Sequence, residues 1–191
     1  HFDSCYKSNH RGSRSYTWVK NRLQSAGLVP KAKGKGRHRK RRERSPMPGM
    51  MLHQDASTHL WVPGTYWDLV VTMDDATSEH YSMVFVDEEG TFSSMLGVQQ
   101  VLERRGLFCS LYTDRGSHYW MTPEAGGKVS KTERTQFGRA MEELGIEMIA
   151  AYSPEARGRS ERAFSTHQQR LPRELALYGI KTMADANRYL Q

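Results

Sequence analysis

Apolar residues first recur with a helical step between residues 15 and 28, where Trp18, Val19, Leu23 and Ala26 fall near one face and Gly27 stops the run. After a long polar stretch the period shortens. Residues 50–58, 67–73 (WDLVVTM) and 81–86 (YSMVFV) read as strands, and the DDATSEH segment joining the last two predicts a hairpin. Leu96, Val98, Val101 and Leu102 then share a helical face, with Ser93 or Ser94 as the expected N-cap and Gly106 as the stop. Residues 108–113 (FCSLYT) form the next strand. Phe137, Ala140, Met141 and Leu144 follow the i, i+3, i+4, i+7 template to Gly145, and residues 146–152 return to strand. A last long helix is expected from near Gly158 to Leu171, where Pro172 breaks or kinks it, with helix resuming until Gly179. This order of elements is α/β, with an antiparallel start and parallel later strands.

Three zones follow from the pattern, with no internal repeat. Residues 1–29 hold a short helix, 30–49 form a linker rich in Lys, Arg, Gly and Pro, and 50–181 make the mixed domain. Thr182 and Asp185 resemble a capping box, so 182–191 reads as the start of a truncated further region. The first residue is His1, which suggests a fragment or a processed product. No apolar run approaches the roughly 18 residues of a membrane span. With only two cysteines, Cys5 and Cys109, a disulfide scaffold is excluded and a reducing compartment is the simplest setting.

The net charge of +7 is unevenly spread. Residues 31–44 (KAKGKGRHRKRRER) carry nine Lys or Arg against one Glu, while the rest of the chain holds 19 positive and 20 negative groups. A near-neutral globule therefore carries a basic strap that repels itself and has little to bury. Lys35, Arg37, Arg39, Lys40, Arg41 and Arg42 are its candidate phosphate contacts. Each contact with duplex DNA steepens the salt dependence of binding by about 0.9 log units. A solvated linker or a localisation tag is the plainer reading of such a run.

Two acids stand where strands seldom tolerate them. Asp55 falls inside the first strand, and Asp114 follows directly on FCSLYT, the strand-end position where open α/β sheets place their sites. Glu161 is expected in the first turn of the last helix, where the helix dipole favours negative charge. Taken singly, Asp114 is a turn former and Glu161 a helix-start charge. Together, three carboxylates from two strands and a helix suit hard divalent ions, which take oxygen ligands. Asp74 and Asp75 form a rival pair, better explained by the hairpin turn. His118 follows the Asp114 turn, and Arg157, Arg159 and Arg162 flank Glu161; all four are candidate DNA contacts, though a helix start often carries such charges without function. His1, Cys5 and His10 make a weak zinc pattern. Trp61, Trp67 and Trp120 are expected to pack rather than stack on bases.

Four segments carry a family likeness: HQDAST, WDLVVTMDDATS, YTDRGSHYW and TQFGRAMEELGIEMIAAYSPEARGRSERAF. Over about residues 45–180 the chain resembles the catalytic core of DDE transposases of bacterial insertion sequences, relatives of retroviral integrases. The resemblance implies a ribonuclease H-like fold, a mixed five-stranded sheet flanked by helices, with residues 1–29 as a partial helix-turn-helix. It implies metal-dependent DNA nicking and strand transfer with Asp55, Asp114 and Glu161 as catalytic and metal-binding triad and two Mg²⁺ or Mn²⁺ ions as cofactors. Implied partners are duplex DNA, both transposon ends and target, and further copies of the chain, in a bacterial cytoplasm close to the nucleoid and away from membranes. This sequence departs from the family pattern in three ways. Asp114 and Glu161 are separated by 46 intervening residues, more than integrases show, and the loop 122–131 supplies ten of the excess. Gln168 stands where relatives often carry Lys or Arg, and Glu155 where they carry Gln. A non-catalytic DNA-binding protein descended from a transposase is the alternative reading. An RNA-binding protein would explain the strap but not the acids.

Overall fold

The computed structural model describes residues 14–31, 43–123, 127–130, 132–152 and 154–191, with only the backbone described at 154–157 and 159. The chain divides into two units, His1–Lys40 and Arg41–Gln191.

In the first unit, helix α1 (Tyr16–Ser25) begins at Ser15, whose hydroxyl accepts from the Trp18 amide at 3.2 Å. The guanidinium groups of Arg14 and Arg22 lie 5.3 and 5.6 Å from the Trp18 ring centre. The helix ends at Ser25, and Gly27 takes a left-handed backbone at φ 69°, the stop expected from the sequence.

The second unit is built on five strands: β1 (Leu52–Val62), β2 (Thr65–Asp74), β3 (His80–Val86), β4 (Ser110–Thr113) and β5 (Glu147–Ala150). Their order is β3-β2-β1-β4-β5. The first three are antiparallel, and β4 and β5 run parallel to β1. The mixed sheet is as expected, but β1 reaches four residues past the anticipated end. Pro63 and Gly64 do form a turn, with Gly64 at φ 82°, yet the apolar residues before it belong to the ladder. Trp61 is fully buried there and its indole donates to the Trp67 carbonyl at 2.8 Å.

Among the described residues the helices are α1, α2 (Thr91–Arg105), α3 (Gln136–Glu143), α4 (Pro154–Leu177) and α5 (Met183–Leu190). One apolar cluster joins β1–β3 to α4 and α5 through Trp61, Leu69, Val71, Phe85, Phe164 and Leu175. The other joins β1 and β4 to α2 and α3 through Leu52, Val98, Val101, Leu111, Phe137 and Met141. With both faces covered, β2 is buried from Trp67 onward, which is why its sequence is a continuous apolar run rather than an alternation.

Two helix ends correct the sequence reading. Helix α2 starts at Thr91 behind Gly90, not at Ser93 or Ser94. Ser93 instead accepts from the Gly90 amide at 2.7 Å, while Ser94 is buried and its hydroxyl donates to Tyr119 at 3.1 Å. Helix α4 begins four residues before Gly158, with Pro154 in the first turn where its missing N–H costs nothing, and runs through Pro172 unbroken. Leu171 and Leu175 are buried on either side of that proline, and their packing outweighs the lost hydrogen bond.

Candidate active site

Side chains along β1 alternate between the two layers. Gln54 faces α2, where its amide donates to Thr72 Oγ1 and to the Ser94 carbonyl, each at 3.0 Å. Asp55 pairs with Val71 and therefore points, with His53 and Ser57, toward the α4 layer. Helix α2 lies so close that a Cβ on Gly97 would come within 2.6 Å of Gln54 Nε2.

Asp114 leaves the carboxyl end of β4 in a turn held by its neighbours. Its Oδ1 accepts from the Gly116 amide at 2.9 Å, and the amides of Tyr119 and Trp120 donate to the Gly116 carbonyl at 3.0 Å. A Cβ on Gly116 would stand 3.0 Å from Asp114 Oδ1 and 2.9 Å from His118, so the turn needs glycine. The Trp120 indole donates to Thr113 Oγ1 at 2.9 Å. Tyr119 is buried and donates to Gln54 Oε1 at 3.0 Å, which ties the Asp114 turn to the chain neighbour of Asp55. Burial drives the Tyr119 phenol well above its usual pKa; the Ser94 hydroxyl opposes this, and the charges of Glu89, Asp55 and Asp114 add to it. The group is a neutral strut.

Asp55 and Asp114 line one small hollow of about 10 Å³, together with His53, Gln54, Tyr112, Thr113 and Ser160 of α4. Glu161, the next residue, is exposed and does not line it. Two turns further on, Gln168 donates to Ser57 Oγ at 2.8 Å. Seven residues return a helix to nearly the same bearing, so Glu161 shares the stripe of α4 that follows β1. Among the described residues no group of three His, Cys, Asp or Glu side chains is close enough to enclose a metal ion. The structure thus brings the two aspartates together and leaves the glutamate beside them. Two carboxylates facing a hollow the size of one water fit a hard cation by donor chemistry. A larger hollow, about 780 Å³, lies along β5 and α3, apart from the aspartate pair.

Other candidates are dispersed. His118 turns inward, its ring 3.9 Å from that of Tyr119 and its Nε2 3.5 Å from Glu89. Arg162 is exposed. The side chains of Arg157, Arg159 and Glu155, and all of Lys35, Arg37, Arg39, Lys40, Arg41 and Arg42, lie outside the described residues, as do His1, Cys5 and His10.

Asp74 and Asp75 do more than turn the chain. Asp74 accepts from Thr77 N and Oγ1 at 2.8 and 2.9 Å, a side-chain-closed turn, and also from the Gly49 amide at 2.9 Å. Asp75 accepts from the Ser45 amide at 2.6 Å and contacts His53 Nε2 at 2.7 Å. Both carboxylates are buried. His53 in turn packs against Tyr112, with ring centres 5.0 Å apart and planes tilted by 53°, and lines the hollow beside the aspartates.

No family profile matches the chain. The Sinorhizobium fredii protein y4bF, named as a transposase, is 34% identical over 172 residues, covering 88% of this chain and 37% of its own length. The transposase for insertion sequence IS1202 of Streptococcus pneumoniae is 29% identical over 201 residues, covering 97% of this chain and 43% of its own. The chain therefore spans roughly two fifths of these relatives. Among solved structures, the HTLV-2 integrase catalytic core in complex with magnesium superposes with a TM-score of 0.58 at 14% identity, covering 77% of this chain and 86% of that one. At that identity the match establishes the fold alone, which is ribonuclease H-like. The likeness to insertion-sequence transposases supports an assignment to the DDE transposase and integrase superfamily.

Proposed function

We propose that this chain is the core of a DNA transposase that nicks DNA and joins the freed 3′-hydroxyl to a target, with Asp55, Asp114 and Glu161 as its metal-binding acids. The observation that carries this reading is the convergence of Asp55 and Asp114, from the middle of β1 and the end of β4, on a hollow that Ser160 closes from α4. Two divalent cations held by these acids would stabilise the attacking and leaving oxygens of an in-line phosphoryl displacement. The protein's own work is to fix the carboxylates. The Gly116 amide orients Asp114, the Tyr119–Gln54 bond couples its turn to β1, and the Gln168–Ser57 bond holds α4 along the strand. Arg162, with Arg157 and Arg159, would meet phosphates near the reacting strand, and Lys35 to Arg42 would bind duplex DNA at transposon ends or target. The helix at 16–25 would serve a helix-turn-helix module that reads the ends. Joining two ends requires a homo-oligomer on DNA.

The test is Asp114→Asn. It is expected to abolish Mg²⁺- or Mn²⁺-dependent nicking while leaving DNA affinity within about twofold, since phosphate contacts dominate binding. Cleavage at the wild-type rate would refute the assignment. One observation favours a second reading, a DNA-binding protein without catalysis: the Glu161 carboxylate is exposed and does not complete a metal-binding group among the described residues. Titration with Mn²⁺ separates the two, because only the enzyme needs a divalent site at Asp55 and Asp114.

A further inference from the structure

The residues that lengthen the interval between Asp114 and Glu161 form a loop after Trp120. Long surface loops ordinarily carry few fixed contacts. The described residues of this one are fastened. Its base is closed by the Ser130 amide donating to the Met121 carbonyl at 2.7 Å. Arg115 Nη1 donates to the Gly127 carbonyl at 2.7 Å, and the Val129 amide donates to the Tyr152 hydroxyl at 3.3 Å. The Arg115 guanidinium also lies over the Tyr152 ring, 5.2 Å from its centre. Three segments meet here: the turn that carries Asp114, the inserted loop, and the connection from β5 to α4. Arg115 is the residue after Asp114, and Tyr152 stands two residues before α4 begins.

We propose that Arg115 and Tyr152 form a clasp that sets the distance between the Asp114 turn and the first turns of α4, making Arg115 a positioning residue for Glu161. The proposal rests on the nuclease reading above. Asp55 and Asp114 are fixed from the sheet side by the Gln54–Tyr119 network, whereas Glu161 is exposed on the helix and inherits its place from how α4 enters. An error of about 1 Å in such a constellation can cost roughly a hundredfold in rate. Arginine suits the role because its planar fork can donate to a carbonyl and stack on a ring at once, which lysine cannot do. The guanidinium is half-buried and engaged with protein, so its geometry favours a clasp over a phosphate contact.

The experiment compares the full chain with its Arg115→Ala, Arg115→Lys, Tyr152→Ala and Tyr152→Phe variants in three assays: Mn²⁺ affinity with the metal alone, DNA affinity, and amide hydrogen exchange. In Arg115→Ala and Tyr152→Ala, exchange should rise about tenfold both at residues 127–130 and in the first turns of α4, and Mn²⁺ should bind about tenfold more weakly, as for the loss of an outer-shell support. DNA affinity should hold within about twofold. Arg115→Lys should fall between wild type and alanine, and Tyr152→Phe should lose protection at Val129 alone. Faster exchange confined to the loop, with Mn²⁺ affinity unchanged, would overturn the proposal and leave a loop anchor. Weaker DNA binding with unchanged Mn²⁺ affinity would overturn it in favour of a phosphate contact. If the wild-type chain binds no Mn²⁺, the nuclease reading fails by itself. The exchange arm then decides the clasp, which unchanged protection of α4 in Arg115→Ala would refute.

Discussion

The two edges of the sheet are finished in opposite ways. At the β3 edge the side chain of Asn187 acts as a one-residue strand: it accepts from the Phe85 amide at 2.7 Å and donates to the Phe85 carbonyl at 2.9 Å. Helices α4 and α5 seal that side with Leu171, Leu175 and Ala186. At the β5 edge, alternate amides turn inward to β4, as Glu147 N does to the Cys109 carbonyl and Ala151 N to the Thr113 carbonyl. The main chain of Met148 and Ala150 is thereby directed outward, over the large hollow bounded by Trp120, Val129 and Tyr152. Edge strands are liabilities that proteins usually cover. Here helices cover the β3 edge, while among the described residues no strand pairs with the outer side of β5, which adjoins the loop and connection proposed to position Glu161.

That contrast can be broken in graded steps. Leu175→Ala, in the sealed cluster, is expected to cost about 2–5 kcal/mol in chemical denaturation, while Met148→Ala beside the open edge should cost well under half as much. Equal losses would remove the distinction. Asn187→Ala strands two main-chain groups and should cost about 1–3 kcal/mol. Acid should also act first on the sealed side, where His80 and His167 meet with their Nε2 atoms 3.1 Å apart. Burial lowers both, and takes His167 to about 4 with help from His80 and Arg170, against an opposing pull from Glu174. The folded chain then binds fewer protons than the unfolded one between pH 6.5 and 4, so this stability is complete above 6.5 and lost as pH falls. A melting-temperature series should show the fall, and His167→Asn should flatten it. The smallest effect belongs to Ala150→Pro. Its amide points away from β4, so the loss should stay within about 1 kcal/mol, whereas Ile149→Pro removes a ladder bond and should exceed it in the same measurement.

Much of this was legible from residue order. The apolar periods located the helices and strands because both sheet faces are packed, and the strand-end position of Asp114 singled it out as a candidate that the structure sets beside Asp55. The end of β1 was hidden by Pro63 and Gly64, which signal a turn without saying that the strand runs right up to it. Pro172 left a break or a kink open because propensity is local; the helix continues through it, with Leu171 and Leu175 held by distant partners. The buried Asp75–His53 contact spans 22 residues and leaves no local trace, since an acid that clasps and an acid that turns the chain are written alike. Glu161 does fall in the last helix, but beyond the expected first turn, because α4 begins at Pro154, and its exposure depends on how α4 enters, which the periods do not encode.

Gly97 never touches the aspartates, yet their geometry depends on it. It lies on the opposite side of the sheet, where the missing methyl group lets α2 settle onto Gln54. Any larger residue would force either the helix to lift or the glutamine to yield, and the neighbouring acid is carried on the same peptide. A substitution there would therefore reach the aspartate hollow from behind while leaving all three carboxylates in place.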